Sequence, residues 1–184
     1  MKSLYVFILF IILAILQIAV PTQMIFDREG VLNSGTAYKF RTEPVDPSDP
    51  FKGKYIVLSY DVDQIKTEDK NWQRHQEVFI TIENDSLGFA EPISVSIDQP
   101  QSGDYVTAKV DWYSNYDSSL HFSLPFNEFY MEESKAYDAE VAHRDAQRDS
   151  LPNNTYALVY VMKGNAVLDN VFINDIPIAE FVEQ

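Results

Sequence analysis

The feature that most constrains this chain is an uncharged apolar run close to its N-terminal end. From Ser3 to Val20 the sequence reads SLYVFILFIILAILQIAV, and the next charged residue is Asp27. A helix of about 20 apolar residues spans the roughly 30 Å hydrocarbon core of a bilayer and satisfies its own backbone hydrogen bonds there. The run therefore predicts a transmembrane anchor over residues 1–26, followed by a separate domain over residues 27–184.

Two other interpretations of the apolar run stay open. A cleaved signal peptide has a shorter apolar core and small residues at its cleavage point. Ala19-Val20-Pro21 comes closest to such a point, but a proline directly after the cleavage point is unfavourable. A buried helix of a soluble fold would rarely consist of one long charge-free segment. The retained anchor is the favoured interpretation.

The residues that flank the run predict its orientation. Lys2 and the N-terminal amine precede it, whereas Asp27, Arg28 and Glu29 after it nearly cancel. By the positive-inside rule the N-terminus then stays in the cytoplasm. We expect a single-pass protein of the cytoplasmic (inner) membrane, with its C-terminal domain outside the cytoplasm, in the periplasm or at the cell surface.

Charge and cysteine content narrow the classes of partner and chemistry. The chain has 14 basic and 28 acidic residues, a formal net charge of −14 at pH 7, and no cysteine. Such an acidic surface repels nucleic-acid phosphates, so no nucleic-acid partner is expected. The lack of cysteine excludes disulfides, thiolate zinc sites, cysteine nucleophiles and the acylated cysteine of a bacterial lipoprotein.

After the predicted anchor, the sequence has the residue pattern of β-strands. Tyr38, Phe40 and Thr42 alternate with Lys39 and Arg41, which is typical of a half-buried strand. Further segments rich in β-forming residues and bounded by Gly, Pro, Asn or Asp lie at 55–62, 78–82, 93–97, 105–113, 120–124, 156–162 and 166–173. The first of these predicts a central strand, and residues 63–71 after it predict a solvated loop.

One segment, Glu132–Arg148, breaks this rhythm. It lacks Gly and Pro, its acidic residues crowd the start, and its arginines lie towards the end, as suits a helix dipole. Its apolar residues have helical spacing: Ala136, Ala139, Val141, Ala142 and Ala146. We therefore expect a mainly β fold, an antiparallel sheet or β-sandwich with one surface helix, in addition to the N-terminal transmembrane helix.

No motif for catalysis, metal or cofactor binding is found. His75, His121 and His143 fall on three different predicted elements, without the paired spacing of a zinc site, and His143 is expected on a solvated helix face. No nucleophile elbow or Gly-rich phosphate loop occurs. The sequence therefore assigns no catalytic residue, no metal site and no cofactor, and it favours a role other than catalysis.

The most distinctive stretch reads RTEPVDPSDPFKGKY and begins at Arg41. Its prolines restrict φ, so the loop is ordered without a large core beneath it. A rigid crossover between strands is the plainer interpretation, and a rigid recognition loop is the functional one. The residues of this candidate recognition loop are Arg41, Asp46, Asp49, Gly53, Tyr55 and Tyr60.

Two blocks of sequence carry a family resemblance. The first is Gly53-Lys54-Tyr55-Ile56-Val57-Leu58-Ser59-Tyr60, preceded by the proline-rich lead-in, and the second is the aromatic-acidic segment Phe129–Glu133. They resemble the GDYXXLXY family of bacterial proteins, with Lys54 in place of the acid in the first block. The resemblance implies a membrane-anchored protein associated with polytopic membrane proteins, and it assigns no catalytic residue.

Three functions compete on these observations. The favoured one is a non-catalytic, membrane-anchored extracytoplasmic subunit or binding module that associates with an integral membrane protein complex. The second is a cell-envelope hydrolase that uses Glu132, Glu133 and Glu140. The third is a sensor of a divalent ion or another ligand. The anchor, the lack of catalytic spacing and the family resemblance favour the first.

Overall fold

The computed structural model describes residues 2–43, 55–148 and 155–183. Asp46, Asp49 and Gly53 of the candidate recognition loop lie outside the described residues, as does the side chain of Tyr55. The elements are α1 (Lys2–Ser34), β1 (Thr36–Glu43), β2 (Tyr55–Val57), β3 (Ser59–Tyr60), β4 (Gln64–Lys66), β5 (Glu77–Asn84), β6 (Ala90–Ser96), β7 (Tyr105–Ser114), β8 (Ser119–Ser123), β9 (Glu128–Tyr130), α2 (Glu133–Arg148), β10 (Thr155–Met162), β11 (Asn165–Ile173), β12 (Ile176–Pro177) and α3 (Ile178–Phe181).

Within the described residues, the strands form two five-stranded sheets and one small pair. Sheet 1 has the order β12-β11-β10-β1-β3, sheet 2 has the order β4-β8-β7-β5-β6, and β2 pairs with β9. All strand pairs within the sheets are antiparallel. The predicted mainly β, antiparallel fold is therefore confirmed.

The two sheets share one hydrophobic core. Alternate residues of the strands point inward, and the inward set contains β-branched and aromatic side chains that fill the space between the sheets. Those with almost no exposed surface include Phe40, Val159 and Ile173 from sheet 1 and Ile80, Val106, Leu120 and Phe122 from sheet 2. This arrangement is that of a β-sandwich.

Helix α2 packs against α3 and strands β2 and β10. Its buried residues, Ala139, His143 and Ala146, have the i, i+4, i+7 spacing of one helix face. Ile178 at the start of α3 is also fully buried. The predicted helix is thus confirmed, with one side packed on the core.

The prediction of one central strand over Tyr55–Val62 is wrong. The segment changes partners at Leu58, whose backbone N–H donates to the carbonyl of Asn127 at 2.8 Å. Before this point β2 pairs with β9, and after it β3 pairs with the end of β1 at an edge of sheet 1. Val57 is 44% exposed, so the segment is not packed on both faces.

A further prediction needs correction. Residues 63–71, expected to form a solvated loop, contain β4, which pairs with β8 and buries Ile65. Helix α1 continues beyond the predicted anchor to Ser34 and includes the charged residues Asp27, Arg28 and Glu29; the boundary of the anchor at residue 26 stays a prediction. Charges do not end a helix that already has propagating backbone hydrogen bonds. The other predicted strands are present, with ends that differ by a few residues.

Candidate functional site

Helix α1 is long and apolar enough to cross a membrane. Its 33 residues correspond to about 50 Å at 1.5 Å per residue. Pro21 lies inside it, and next to this residue the Thr22 hydroxyl donates to the carbonyl of Ile18 at 2.8 Å. The apolar side chains before Asp27 are exposed over most of the helix surface, so they are available to lipid or to a second apolar helix.

The end of α1 packs directly on the domain. Val31 is only 3% exposed, and α1 contacts β10 and β11. The N–H of Gly35 donates to the carbonyl of Val31 at 2.8 Å, and β1 begins at the next residue. A Cβ atom at Gly35 would lie 2.5 Å from the carbonyl oxygen of Val31 and 3.0 Å from that of Val161. We call Val31, Gly35 and Val161 the joint.

A cleft of about 680 Å³ opens beside the joint. We call it the anchor cleft, because the last turns of α1 form one of its walls. The other walls come from the start of β5, the middle of β7, the segment after β8, and the start of β11. The polar and charged residues that line it include Asp27, Arg28, Glu77, Lys109, Asn127 and Asn165.

The anchor cleft holds charges of both signs. Asp27 and Arg28 come from α1, and Glu77 and Lys109 lie opposite each other on β5 and β7. All four residues are exposed, and none of them forms a salt bridge within the described part of the chain. Two cationic and two anionic side chains are therefore available to a ligand in the same cleft.

Sequence reasoning did not find the anchor cleft. Its residues come from five separate elements and the segments between them, and their proximity follows from the pairing of β5 with β7 and from the packing of α1 on β11. Only Asp27 and Arg28, directly after the apolar run, give a visible signal in the sequence. That signal indicates the orientation of the helix and says nothing of a cleft.

Arg41 of the candidate recognition loop lies at a corner that links the two sheets. Its Nη2 atom is 2.6 Å from Oδ2 of Asp85, its Nη1 atom is 3.6 Å from Oδ2 of Asp61, and its guanidinium lies 4.1 Å from the centre of the Phe89 ring. The backbone N–H of Phe89 and the Arg41 guanidinium lower the pKa of Asp85 to about 2. Partial burial outweighs the effect of Arg41 at Asp61 and raises the pKa of that carboxyl.

Tyr60, the last residue of the candidate loop, lies in the core. It is 5% exposed, and its hydroxyl donates to the carbonyl of Phe126 at 2.7 Å. The ring packs edge-on against Phe40 and Phe126, with centroid distances of 5.8 and 5.3 Å. Burial raises the pKa of the Tyr60 phenol well above its ordinary value. Of the candidate residues with described side chains, Arg41 links the sheets and Tyr60 packs the core; the recognition role stays a prediction.

A buried polar cluster overturns the expectation that His143 faces solvent. His143 is 4% exposed, and its Nε2 atom lies 3.1 Å from the hydroxyl of Thr42. The Thr42 hydroxyl donates to that of Thr155 at 2.9 Å. Ala139 and Ala146 flank His143 on the same helix face. The sequence shows the spacing of these three residues, but the polar side chain of His143 favoured an assignment to the solvent-facing side of the helix.

We expect His143 to make folding sensitive to acid. Burial lowers its pKa from 6.5 to about 4. The unfolded chain therefore takes up a proton near pH 6.5, whereas the folded chain does not bind it until about pH 4. The contribution of His143 to stability is complete above pH 6.5 and falls as the pH approaches 4, by roughly 3 kcal/mol. The measurement is chemical denaturation of the full chain in detergent at pH 7.5 and pH 4.5.

The His143→Gln variant keeps an N–H donor but cannot become charged, so its free energy of unfolding should depend less on pH than that of the wild type. His75→Asn serves as the control, since His75 is exposed and Asn tolerates its positive φ of 63°. Equal acid sensitivity in all three proteins would contradict the prediction.

Neither Glu132 nor Glu140 of the hydrolase hypothesis lines the anchor cleft. Glu132 is exposed and Glu140 is half-buried, whereas the side chain of Glu133 lies outside the described part of the chain. Among the described residues, no group of three or more His, Asp or Glu side chains is placed to hold a metal ion. His121 instead stacks on Trp112, with ring centroids 3.8 Å apart.

Comparison with known proteins identifies a family. A family model described as GDYXXLXY protein matches residues 17–171. The matched region begins inside α1 and includes the joint and the anchor cleft. No curated protein and no solved structure matches the chain.

Proposed function

The chain belongs to the GDYXXLXY protein family, and from this premise we propose that it is a non-catalytic, membrane-anchored subunit of an integral membrane protein complex. In this role α1 crosses the cytoplasmic membrane once, and the β-sandwich lies outside the cytoplasm, in the periplasm or at the cell surface. The partner is an integral membrane protein.

The observation that supports this role best is the rigid connection between α1 and the sandwich. A domain that only needs to stay near a membrane can hang on a flexible linker. Here a single residue, Gly35, separates the end of α1 from β1, and Val31 is buried against the domain. The joint therefore fixes the height and the orientation of the sandwich, which is useful to a subunit that meets a membrane partner in one geometry.

The surface of α1 supports a partner within the membrane. A shallow apolar groove on α1 includes the small residue Ala19, and it is lined by Ile15, Ile18, Ala19, Thr22, Gln23 and Phe26. Transmembrane helices pack closely where small residues let their backbones approach. A helix of the partner fits this groove, and the β-sandwich, which the joint holds in place, contacts the same partner outside the bilayer.

Three forms of the chain test the role of the joint. We expect the full-length chain, extracted in mild detergent, to bring down a stoichiometric membrane protein. A form that begins at residue 28 should bring down none, because it lacks most of α1. A third form, with a flexible ten-residue Gly-Ser insertion between Ser34 and Gly35, keeps the anchor but frees the domain, and it should lose most of the partner.

The matched control is the same insertion placed between Leu87 and Gly88, in the hairpin that connects β5 and β6 and away from α1. It adds the same flexible length without touching the joint, so it should retain the partner. A full-length chain that purifies alone as a monomer, or a joint insertion that keeps the partner in full, would contradict the proposed role.

A further inference from the structure

We propose that the anchor cleft binds the zwitterionic headgroup of a phospholipid. Its phosphate lies against Arg28 and Lys109, and its ammonium lies against Asp27 and Glu77. The inference rests on the proposed placement of α1 across a membrane. It does not depend on which protein is the partner.

The height of the cleft above the apolar helix supports a lipid ligand. Phe26 is the last apolar residue before the first charge that follows the run, and it is placed at the edge of the hydrocarbon; Asp27, Arg28 and Val31, just after it, line the cleft. At 1.5 Å per residue, these three residues lie within about 8 Å of Phe26 along the helix axis. The headgroup layer on each side of a bilayer is roughly 5 to 7 Å thick. The cleft therefore opens at the level of the headgroups.

The pattern of charge matches a ligand with both signs. Arg28 and Lys109 offer donors to a phosphate, which guanidinium and ammonium groups bind by charge-assisted hydrogen bonds. Asp27 and Glu77 offer acceptors to an ammonium group. Because none of the four forms a salt bridge among the described residues, a zwitterion could pair with them without breaking an existing ion pair.

The size and walls of the cleft suit one lipid headgroup. Its volume of about 680 Å³ lies within the range of roughly 300 to 1,000 Å³ typical of small-molecule sites. Apolar side chains also line it, among them Val31, Leu124 and Pro125. They provide a surface for the glycerol backbone and the first methylene groups of the lipid.

The overall charge selects between lipid classes. The whole chain has a formal net charge of −14, so it repels an anionic headgroup, and a headgroup without net charge avoids this cost. A phosphoethanolamine headgroup supplies both the phosphate and a primary ammonium that can donate to carboxylates. We therefore expect phosphatidylethanolamine to bind in preference to phosphatidylglycerol.

Native mass spectrometry of the full-length chain tests this preference. The protein is purified in detergent and mixed with equal amounts of phosphatidylethanolamine and phosphatidylglycerol, and the lipid retained on the intact protein is measured. The wild type should retain mainly phosphatidylethanolamine. The R28Q/K109Q double variant should retain at least tenfold less, because both side chains that contact the phosphate lose their charge.

The control is K66Q/K70Q, which makes the same change in charge on exposed residues that do not line the cleft. Lys66 lies opposite Ser119, at the other end of β8 from the cleft residue Ser123. This variant should retain lipid like the wild type. Equal retention of the two lipids by the wild type, or equal loss in both double variants, would overturn the proposal.

A competition with free glycerophosphoethanolamine separates headgroup recognition from binding of the acyl chains. We expect glycerophosphoethanolamine at millimolar concentration to displace the retained lipid. If the lipid is not displaced, it is held by its acyl chains, and this result would overturn headgroup recognition.

The copurifying membrane protein is followed in the same samples. Loss of that protein from R28Q/K109Q with unchanged lipid retention would make the cleft a protein interface and overturn the lipid site. Selective lipid binding by a chain without a protein partner would support the lipid site and contradict only the subunit role.

Discussion

Replacing Gly35 with alanine is expected to disrupt the connection between anchor and domain. The new Cβ atom would meet the carbonyl oxygen of Val31 at 2.5 Å and that of Val161 at 3.0 Å. Both obstacles are backbone atoms, so no side-chain rotation relieves them, and either the last turn of α1 or the start of β1 must move. Overpacking of this kind costs about 1 to 3 kcal/mol, and we expect the upper part of that range.

Limited trypsin digestion of the full chain in membranes measures this effect. Arg28 lies six residues before the end of α1, and a helical backbone is a poor protease substrate. If Gly35→Ala unwinds the end of α1, cleavage after Arg28 and release of the domain should become at least several-fold faster.

Gly30→Ala is the matched control, because Gly30 lies in the same helix and a Cβ atom there meets nothing within 4 Å. It should instead strengthen the helix by about 1 kcal/mol. A Gly35→Ala protein as resistant as the wild type would show that the joint is not rigid.

Replacing Gly164 with alanine should destabilise the domain through both its backbone and its packing. Gly164 has a φ of +85°, which an L-residue adopts at a cost of roughly 1 to 2 kcal/mol. The added Cβ atom would also lie 2.7 Å from Cε2 of Tyr105 and 3.0 Å from the hydroxyl of Thr107. The Tyr105 ring cannot easily withdraw, because it is 5% exposed and packs edge-on against Phe79.

We expect Gly164→Ala to lower the free energy of unfolding by about 3 kcal/mol or more, and the midpoint of thermal unfolding by roughly 10 °C. Gly88→Ala is the control. Gly88 has almost the same φ, +83°, but a Cβ atom there meets nothing within 4 Å, so it should show the backbone cost alone. The measurement is thermal unfolding of the full chain in detergent, followed by tryptophan fluorescence. Equal shifts in the two variants would contradict a steric role for Tyr105.

Strand periodicity predicted most of the fold because each of these strands buries one face, and burial of one face makes apolar and polar residues alternate along the strand. Tyr38, Phe40 and Thr42 are buried as the alternation of β1 predicted. Local patterns did not reveal where one apolar segment changes its partner. Tyr55–Val62 has the composition of a single strand, and its break at Leu58 depends on a carbonyl at Asn127, far along the chain.

Local patterns also missed polar groups that the fold buries. His143 shares a helix face with Ala139 and Ala146, but its environment depends on Thr42 and Thr155, which reach it from β1 and β10. The anchor cleft needs the same long-range information, since Glu77 and Lys109 become neighbours only through the pairing of β5 with β7. Such sites are properties of the topology, and single-sequence periodicity does not report them.

The order of the strands has a consequence for how the chain is synthesised. β4 to β8 come from one continuous stretch of sequence and together complete sheet 2, so this sheet can assemble while translation continues. β1 leaves the ribosome before all of them, yet its main partner is β10; the Thr42 and Thr155 hydroxyls that meet there are 113 positions apart. Until the C-terminal strands are made, β1 therefore lacks its main partner. Because α1 contacts β10 and β11, a chain that stops before them also lacks the contacts that hold α1 against the domain.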